Sequence, residues 1–373
     1  MELRNRSNLP VGKLNIALSK SLTNSYKLYW MYAVFELCTR GERRFPVFKA
    51  CIWMVVKNWY STVYYRLFLG KQDQLGKLVD YIHKSYNFPD NLPEEQLYKN
   101  ILSLYNKKED LKLNKAIDDL GKYVPYRLIS PFFEETEEYK VLTKDYHKNP
   151  MIANLSKSET LKSFYIIDDV SSLVEIRNEW MDYIIENHGV VEAWMKYHII
   201  NFLQKRNPNV PSIPNKITLD FQRNYRVARQ LWLTMAEEEI IIDIYQDAAL
   251  KEKHYSSYGT LCVDHFIPRR FVMHDLIWNL VPSFKNVNSS KNDQLPDLEQ
   301  YFDLFSEIQY RTLKRVARSN NKRLFEEYLS LNSKYSMDLL KNEISKDQFK
   351  EDLYQTINPL YQIAKNQGFR VMS

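Results

Sequence analysis

Large apolar side chains fill most positions from 26 to 37, and Thr23, Asn24 and Ser25 before them are helix-capping types, so a helix is predicted there. Pro46 suits the first turn of a second helix carrying Ala50, Trp53, Met54, Trp59, Tyr64 and Leu67, with Gly70 as its stop. Apolar residues at helical spacing predict further helices over 74–86, 94–105, 111–120 and 190–204. Residues 124–168 are less periodic and predict one strand near 163–167. The tyrosines and tryptophans of this half fall on apolar helix faces, which reads as core rather than as a base-stacking surface.

Pro208, Pro211 and Pro214 then recur at every third residue, a spacing that cannot continue a helix and favours an extended connector. Beyond it come a predicted helix over 219–238 and a β-branched strand over 240–245. Helical periodicity returns in Leu298, Tyr301, Phe302, Phe305 and Ile308. The chain is expected to be mainly α with a small α+β insertion. It divides into a helical region for recognition, sensing or oligomerisation (1–206), a proline-rich linker (207–216), a small α+β domain (217–296) and a helical C-terminal region (297–373).

With 373 residues, 45% hydrophobic and 26% charged, the chain is long enough for two or three domains that each bury a core. Only 8 glycines argue for helices over a β-sandwich, and a net charge of +6 permits a polyanionic partner without demanding one. Cys38, Cys51 and Cys262 are odd in number and far apart. They form neither a secreted disulfide framework nor a CxxC zinc staple, so a reducing cytoplasm is expected. The most apolar patch, 50–56, is far shorter than the roughly 20 residues needed to cross a bilayer. No P-loop, dinucleotide-binding or methyltransferase pattern is present, so this chain does not drive translocation or modify its own target.

Residues 262–296 read CVDHFIPRRFVMHDLIWNLVPSFKNVNSSKNDQLP. Asp264 and His265 end an apolar run, Asn279 follows His265 after thirteen residues, and Asn288 follows Asn279 after eight more. A carboxylate beside an imidazole, with two side-chain amides at fixed offsets, can hold one hard cation and activate one water. Those are the parts needed to hydrolyse a phosphodiester.

The DHFIP, WNLVP and NSSK-x-D blocks resemble the HNH (ββα-metal finger) endonuclease family. They are similar to HNH nucleases of restriction and phage-defence systems and to the HNH domain of RNA-guided CRISPR effectors. The resemblance implies a strand ending in Asp264 and His265, a second strand starting near Asn279, and a helix carrying Asn288. It implies His265 as general base, and Asp264 and Asn288 as ligands of Mg2+ or Mn2+. Asn279 would tie the loop and orient His265 without touching the metal. Many members place His where Asn288 stands, which makes this an HNN variant, and a neutral oxygen there favours a hard ion. Asn292 is a candidate auxiliary ligand, and His274 reads as a loop residue without a catalytic role.

Arg269, Arg270, Lys285 and Lys291 flank these residues and are candidate phosphate contacts. Residues 311–323 contain six basic and no acidic side chains, and Arg311, Lys314, Arg315 and Arg318 share one helix face, a candidate track for a nucleic-acid backbone. No base-reading signature accompanies them. The expectation is a metal-dependent endonuclease acting on DNA in bacterial defence or restriction, alone, as a homo-oligomer or with a defence-system partner. Two alternatives stand beside it: a nuclease gated by a partner or ligand, and a nucleic-acid-binding assembly subunit in which the finger is only a scaffold. An RNA substrate stays open.

Overall fold

The computed structural model describes residues 1–4, 8–19, 22–141, 144–219, 222, 225–336 and 344–372. The chain forms two compact units, one of Met1–Pro208 with Ile213–Leu219, the other of Asn209–Ser212 with Asp220–Ser373. Mainly helical structure with small sheets is found in both.

The first unit contains α1 (Val11–Ser19), α2 (Tyr26–Thr39), α3 (Val47–Trp59), α4 (Gln74–Tyr86), α5 (Glu94–Lys107), α6 (Leu111–Gly121), α7 (Val124–Ile129), α8 (Glu137–Val141), α9 (Asp145–Ser156), α10 (Asn178–Glu186) and α11 (His188–Arg206). Its core is built on α2 and α3, in which every residue from Ala50 to Trp59 is buried. The tryptophans of this unit, Trp30, Trp53, Trp59, Trp180 and Trp194, are buried, so they are core, as expected for the stripe on the first helices. Gly121 lets α6 approach α3, since a Cβ there would lie 2.4 Å from Val47 Cγ1. Three strands, β1 (Arg44–Pro46), β2 (Tyr165–Asp168) and β3 (Leu173–Ile176), form an antiparallel sheet in the order β1-β3-β2.

Up to residue 216, three local expectations differ from the structure. Ser25 is the N-cap of α2 but caps nothing with its side chain; its N–H instead donates to Asp73, whose carboxylate also caps α4 through Leu75 and Gly76. The helix opened by Pro46 does not run to Gly70. It widens into a π turn at Tyr60–Tyr64, where Tyr65 N bonds Tyr60 O and Leu67 N bonds Ser61 O, and Arg66 leaves it at φ 57°. The proline segment is not extended throughout, because Ile213–Lys216 closes a 3-10 turn with Ile213 and Lys216 buried. Pro214 fits there because the first positions of a helical turn need no N–H donor.

The second unit contains α12 (Arg226–Glu238), the short hairpin β4 (Ile242–Asp243) and β5 (Ala248–Ala249), α13 (Tyr255–Tyr258), β6 (Leu261–His265), α14 (Arg269–Val272), β7 (Leu280–Phe284), α15 (Lys285–Lys291), α16 (Leu298–Arg318), α17 (Lys322–Tyr328) and α18 (Lys346–Asn366). Residues 220, 221, 223 and 224 of the helix expected over 219–238 lie outside the described residues. The strand expected over 240–245 shrinks to β4, because Asp243 accepts the N–H groups of Tyr245 and Gln246 and turns the chain. The α16 helix supports the β6–β7 pair: Phe266 stacks on Phe305 with ring centroids 3.9 Å apart. Trp232 from α12 donates to Thr312 on α16 at 3.1 Å. Among the described residues no helix is long and apolar enough to cross a membrane.

Candidate active site

Gly259, at φ 84°, turns the chain into β6 at a place where a Cβ would meet Asn286 Oδ1 at 3.0 Å. Antiparallel pairing then sets His265 opposite Leu280 and Asp264 opposite Val281. The α15 helix follows β7 directly and brings Asn288 back to β6, where its Nδ2 donates to Val263 O at 3.2 Å. Asp264, His265 and Asn288 thereby line one cleft of about 220 Å³, together with Arg269, Asn292 and Asp293. The helix ends at Lys291, so Asn292 reaches this cleft as a cap residue with φ 50° rather than as another helical turn.

Asp264 is 3% exposed. Its Oδ2 accepts the Tyr245 hydroxyl at 2.8 Å, and the fully buried Lys291 ammonium sits 3.1 Å and 3.2 Å from its two oxygens. Lys291 also donates to His265 O at 2.8 Å. Burial, with Asp264 beside it, pushes the Tyr245 hydroxyl well above its ordinary pKa, so it remains a neutral donor. Burial likewise pushes the Cys262 thiol up to about 11, which keeps a thiolate out of the site at neutral pH.

His265 places Nε2 2.8 Å from Oδ1 of Asp275, a carboxylate in the loop after α14. The same oxygen accepts Arg269 Nε at 3.1 Å. Asp275 was not among the residues singled out by sequence reasoning; the only local signal is a second His-Asp pair, His274–Asp275. Burial, and after it the charge of His265, lowers His274 to about 4, so its imidazole is neutral. The loop is fastened from the C-terminal helices. Glu327 of α17 accepts Ile277 N at 2.7 Å, while Gln309 of α16 donates to the carbonyls of Ile277 and Leu280 and accepts the Tyr328 hydroxyl.

Asn279 is wholly buried and spends its side chain on one residue: Oδ1 accepts Ile267 N and Nδ2 donates to Ile267 O, both at 2.9 Å. Its own carbonyl accepts Phe266 N at 2.8 Å. These bonds hold the two residues that follow His265. Asp243, which the sequence reading passed over as part of a strand, ties the Tyr245 turn to β7 by accepting Ser283 Oγ at 2.7 Å and Phe284 N at 2.8 Å. Burial raises its pKa against the pull of its four donors.

The basic candidates divide by environment. Lys285 is exposed at the first position of α15. Arg270 is 8% exposed and bonded to Asp293 at 2.9 Å, and Lys291 faces inward on Asp264, so a phosphate contact from either would require a change of partner. On α16, Arg311 pairs with Glu239 and Arg315 with Glu238, at the acidic end of α12. Lys314 lies 5.8 Å over the Tyr310 ring, and Arg318 is exposed.

Among the described residues no three His, Cys, Asp or Glu side chains gather as a metal-binding group. The cleft instead offers the Asp264 carboxylate and the Asn288 amide, whose nitrogen is already engaged on Val263, leaving its oxygen for a cation. Lys291 already bonds both oxygens of Asp264, so a divalent ion there would share the carboxylate with that ammonium. A hard divalent ion, its other positions filled by water and phosphate oxygens, fits this donor set.

No curated protein and no solved structure matches the chain. A family model described as HNH endonuclease matches residues 243–297. That span starts at the Asp243 tether, contains the β6–β7–α15 unit with its cleft, and stops where Asp297 caps α16. Residues 243–297 are therefore a domain of the HNH endonuclease family.

Proposed function

We propose that this domain hydrolyses phosphodiester bonds of DNA, with His265 as general base and with Asp264 and Asn288 holding Mg2+ or Mn2+. The observation that carries the reading is the convergence of Asp264, His265 and Asn288 on one cleft while a buried carboxylate holds the imidazole. With Nε2–H donating to Asp275, the lone pair is left on Nδ1, which takes the proton from the attacking water. Asp275 keeps that tautomer and orientation and stabilises the imidazolium once it forms. Asn279 keeps the following backbone from shifting the ring. A divalent ion bound at Asp264 and Asn288 supplies positive charge for the developing phosphate oxyanion and the leaving oxygen.

Lys285, exposed at the start of the helix that carries Asn288, and Arg269 in the cleft wall are the candidates for meeting the phosphate backbone. One such site cuts one strand, so a double-strand break takes two copies or two successive nicks. The choice of DNA, and of a bacterial defence or restriction setting, rests on the likeness of the DHFIP, WNLVP and NSSK-x-D blocks. The test is supercoiled-plasmid cleavage by purified protein with Mg2+, Mn2+ or EDTA, beside His265→Ala. Metal-dependent nicking or linearisation lost in the variant supports the reading; cutting that survives in EDTA or in His265→Ala overturns it.

A further inference from the structure

Within the N-terminal unit a cavity of about 830 Å³ opens between α2, α4, α6 and α7. Helical phase builds it. Lys77, Leu78 and Tyr81 lie along one face of α4, and Lys112, Ala116 and Leu120 along one face of α6, so each helix lends the cavity a lysine and a buried leucine. Leu78, Leu120 and Val124 are buried and give the cavity an apolar floor. Lys27, Lys77, Lys112 and Arg127 line it, and Asp119 is the one carboxylate among its lining residues, a local balance of four positive charges to one negative.

Two of the three lining tyrosines are held in place by their hydroxyls. Tyr26 accepts Gln74 N at 2.7 Å, and Tyr81 donates to Asp110 at 2.7 Å. Three cations already lie against these rings: Lys112 Nζ is 4.1 Å from the Tyr81 ring centroid, and the Arg127 guanidinium and Lys122 Nζ are 5.1 Å and 5.4 Å from that of Tyr123. Fixed rings and an apolar floor take a planar aromatic group, while lysines around them take an anion. The volume falls in the range of about 300–1,000 Å³ that encloses small ligands.

We propose that this cavity binds a nucleoside phosphate, its base against Tyr81, Tyr123 and the apolar floor, its phosphates on Lys77 and Lys112. The same chemistry is offered by a free nucleotide and by the phosphorylated end of a nucleic-acid strand. This site shares no residue with the nuclease cleft, and its test does not depend on cleavage.

The experiment is calorimetric titration of the full chain, without divalent metal. The probes are adenosine, AMP, ATP and a tetranucleotide with and without a 5′-phosphate. The protein is compared with Lys77→Glu/Lys112→Glu and with Ala116→Phe, which sets a bulky ring into the cavity between the two lysine-bearing helices without changing charge. Binding is expected to tighten with added phosphate and to weaken about tenfold for each lysine reversed, as for hydrogen bonds to charged groups. Ala116→Phe should abolish it. A preference for ATP over the phosphorylated tetranucleotide identifies a free nucleotide, and the reverse preference a strand end. No heat with any probe, binding indifferent to phosphate, or binding unchanged in both folded variants overturns the proposal.

Discussion

Nε2 of His265 and Oδ1 of Asp275 lie 2.8 Å apart, with both side chains about nine-tenths buried. A pair so enclosed leaves the imidazole little freedom to rotate and assigns its two nitrogens different tasks. Nine residues of chain, including α14, separate the partners, so the orientation of the proposed base depends on how that loop is held.

Asp275→Ala is accordingly expected to lower kcat on DNA by about 10- to 100-fold, the range for losing a group that orients a working histidine. KM should rise less than kcat falls, because Asp275 does not line the cleft and reaches it on the substrate side only through Arg269. Asp275→Asn, which keeps an accepting oxygen in place, should fall between the two. Single-turnover plasmid nicking across a range of DNA concentrations separates the parameters. A folded Asp275→Ala protein cutting at the wild-type rate would refute the orienting role.

Asn279 acts on the backbone that follows His265. Asn279→Ala leaves the buried N–H and C=O of Ile267 without their partners, at a cost of roughly 1–3 kcal/mol for each group. The variant is expected to unfold at lower urea and to cut more slowly where it remains folded. Asn279→Asp should also be destabilised, since a carboxylate can serve Ile267 N but would face Ile267 O without a hydrogen to give. Urea unfolding followed by fluorescence decides this; a wild-type midpoint for Asn279→Ala would refute it.

The parts of the site that the sequence made legible are those fixed by short-range geometry. The DHFIP, WNLVP and NSSK-x-D blocks lie on a strand end, at the start of a second strand and on the helix after it, so Asp264, His265, Asn279 and Asn288 could be placed on or beside these elements by the resemblance those blocks carry. Asp275 could not, because it lies in a loop without periodicity and gains its meaning only when that loop folds back on His265. Lys291 reads as a phosphate contact by charge, yet burial against Asp264 turns it inward. Residues 311–323 contain no acid, but Glu238 and Glu239 arrive from α12, some seventy positions earlier. In the N-terminal unit β1 escaped notice because three residues ending in proline carry no alternation to read.

The Lys291–Asp264 pair yields a stability test. Lys291→Met keeps most of the buried aliphatic length and removes the ammonium, leaving the Asp264 carboxylate with only the Tyr245 hydroxyl of its two side-chain donors. Breaking one side of a buried ion pair costs about 3–5 kcal/mol. Excess Mg2+ is expected to restore part of that loss, since a cation held by Asp264 supplies the missing charge, and Asp264→Asn combined with Lys291→Met should lose less than Lys291→Met alone. Urea unfolding in EDTA and in Mg2+ measures both effects. Equal stability of wild type and Lys291→Met in EDTA would show that the ammonium is not needed there.

His274 gives the site a pH signature. Burial, with the His265 charge second, lowers its pKa from 6.5 to about 4. Above pH 6.5 the imidazole is neutral in folded and unfolded chains alike and adds no slope. Between pH 6.5 and about 4 the unfolded chain takes a proton that the folded one refuses, so stability falls with falling pH, by at most about 1.4 kcal/mol per pH unit. Below about 4 both forms are protonated and the contribution levels off. Asp243 and Glu327 work in the opposite sense: burial raises their pKa, so the folded chain holds their protons to higher pH and these groups favour folding as pH falls. The comparison of wild type with His274→Asn separates the two, because the asparagine can still accept Leu276 N but does not titrate. Urea midpoints from pH 7 down to pH 4 should differ by a constant above 6.5 and then drift increasingly in the variant's favour. Curves that stay parallel across the whole interval would mean that His274 is protonated as easily in the folded protein as in the unfolded chain.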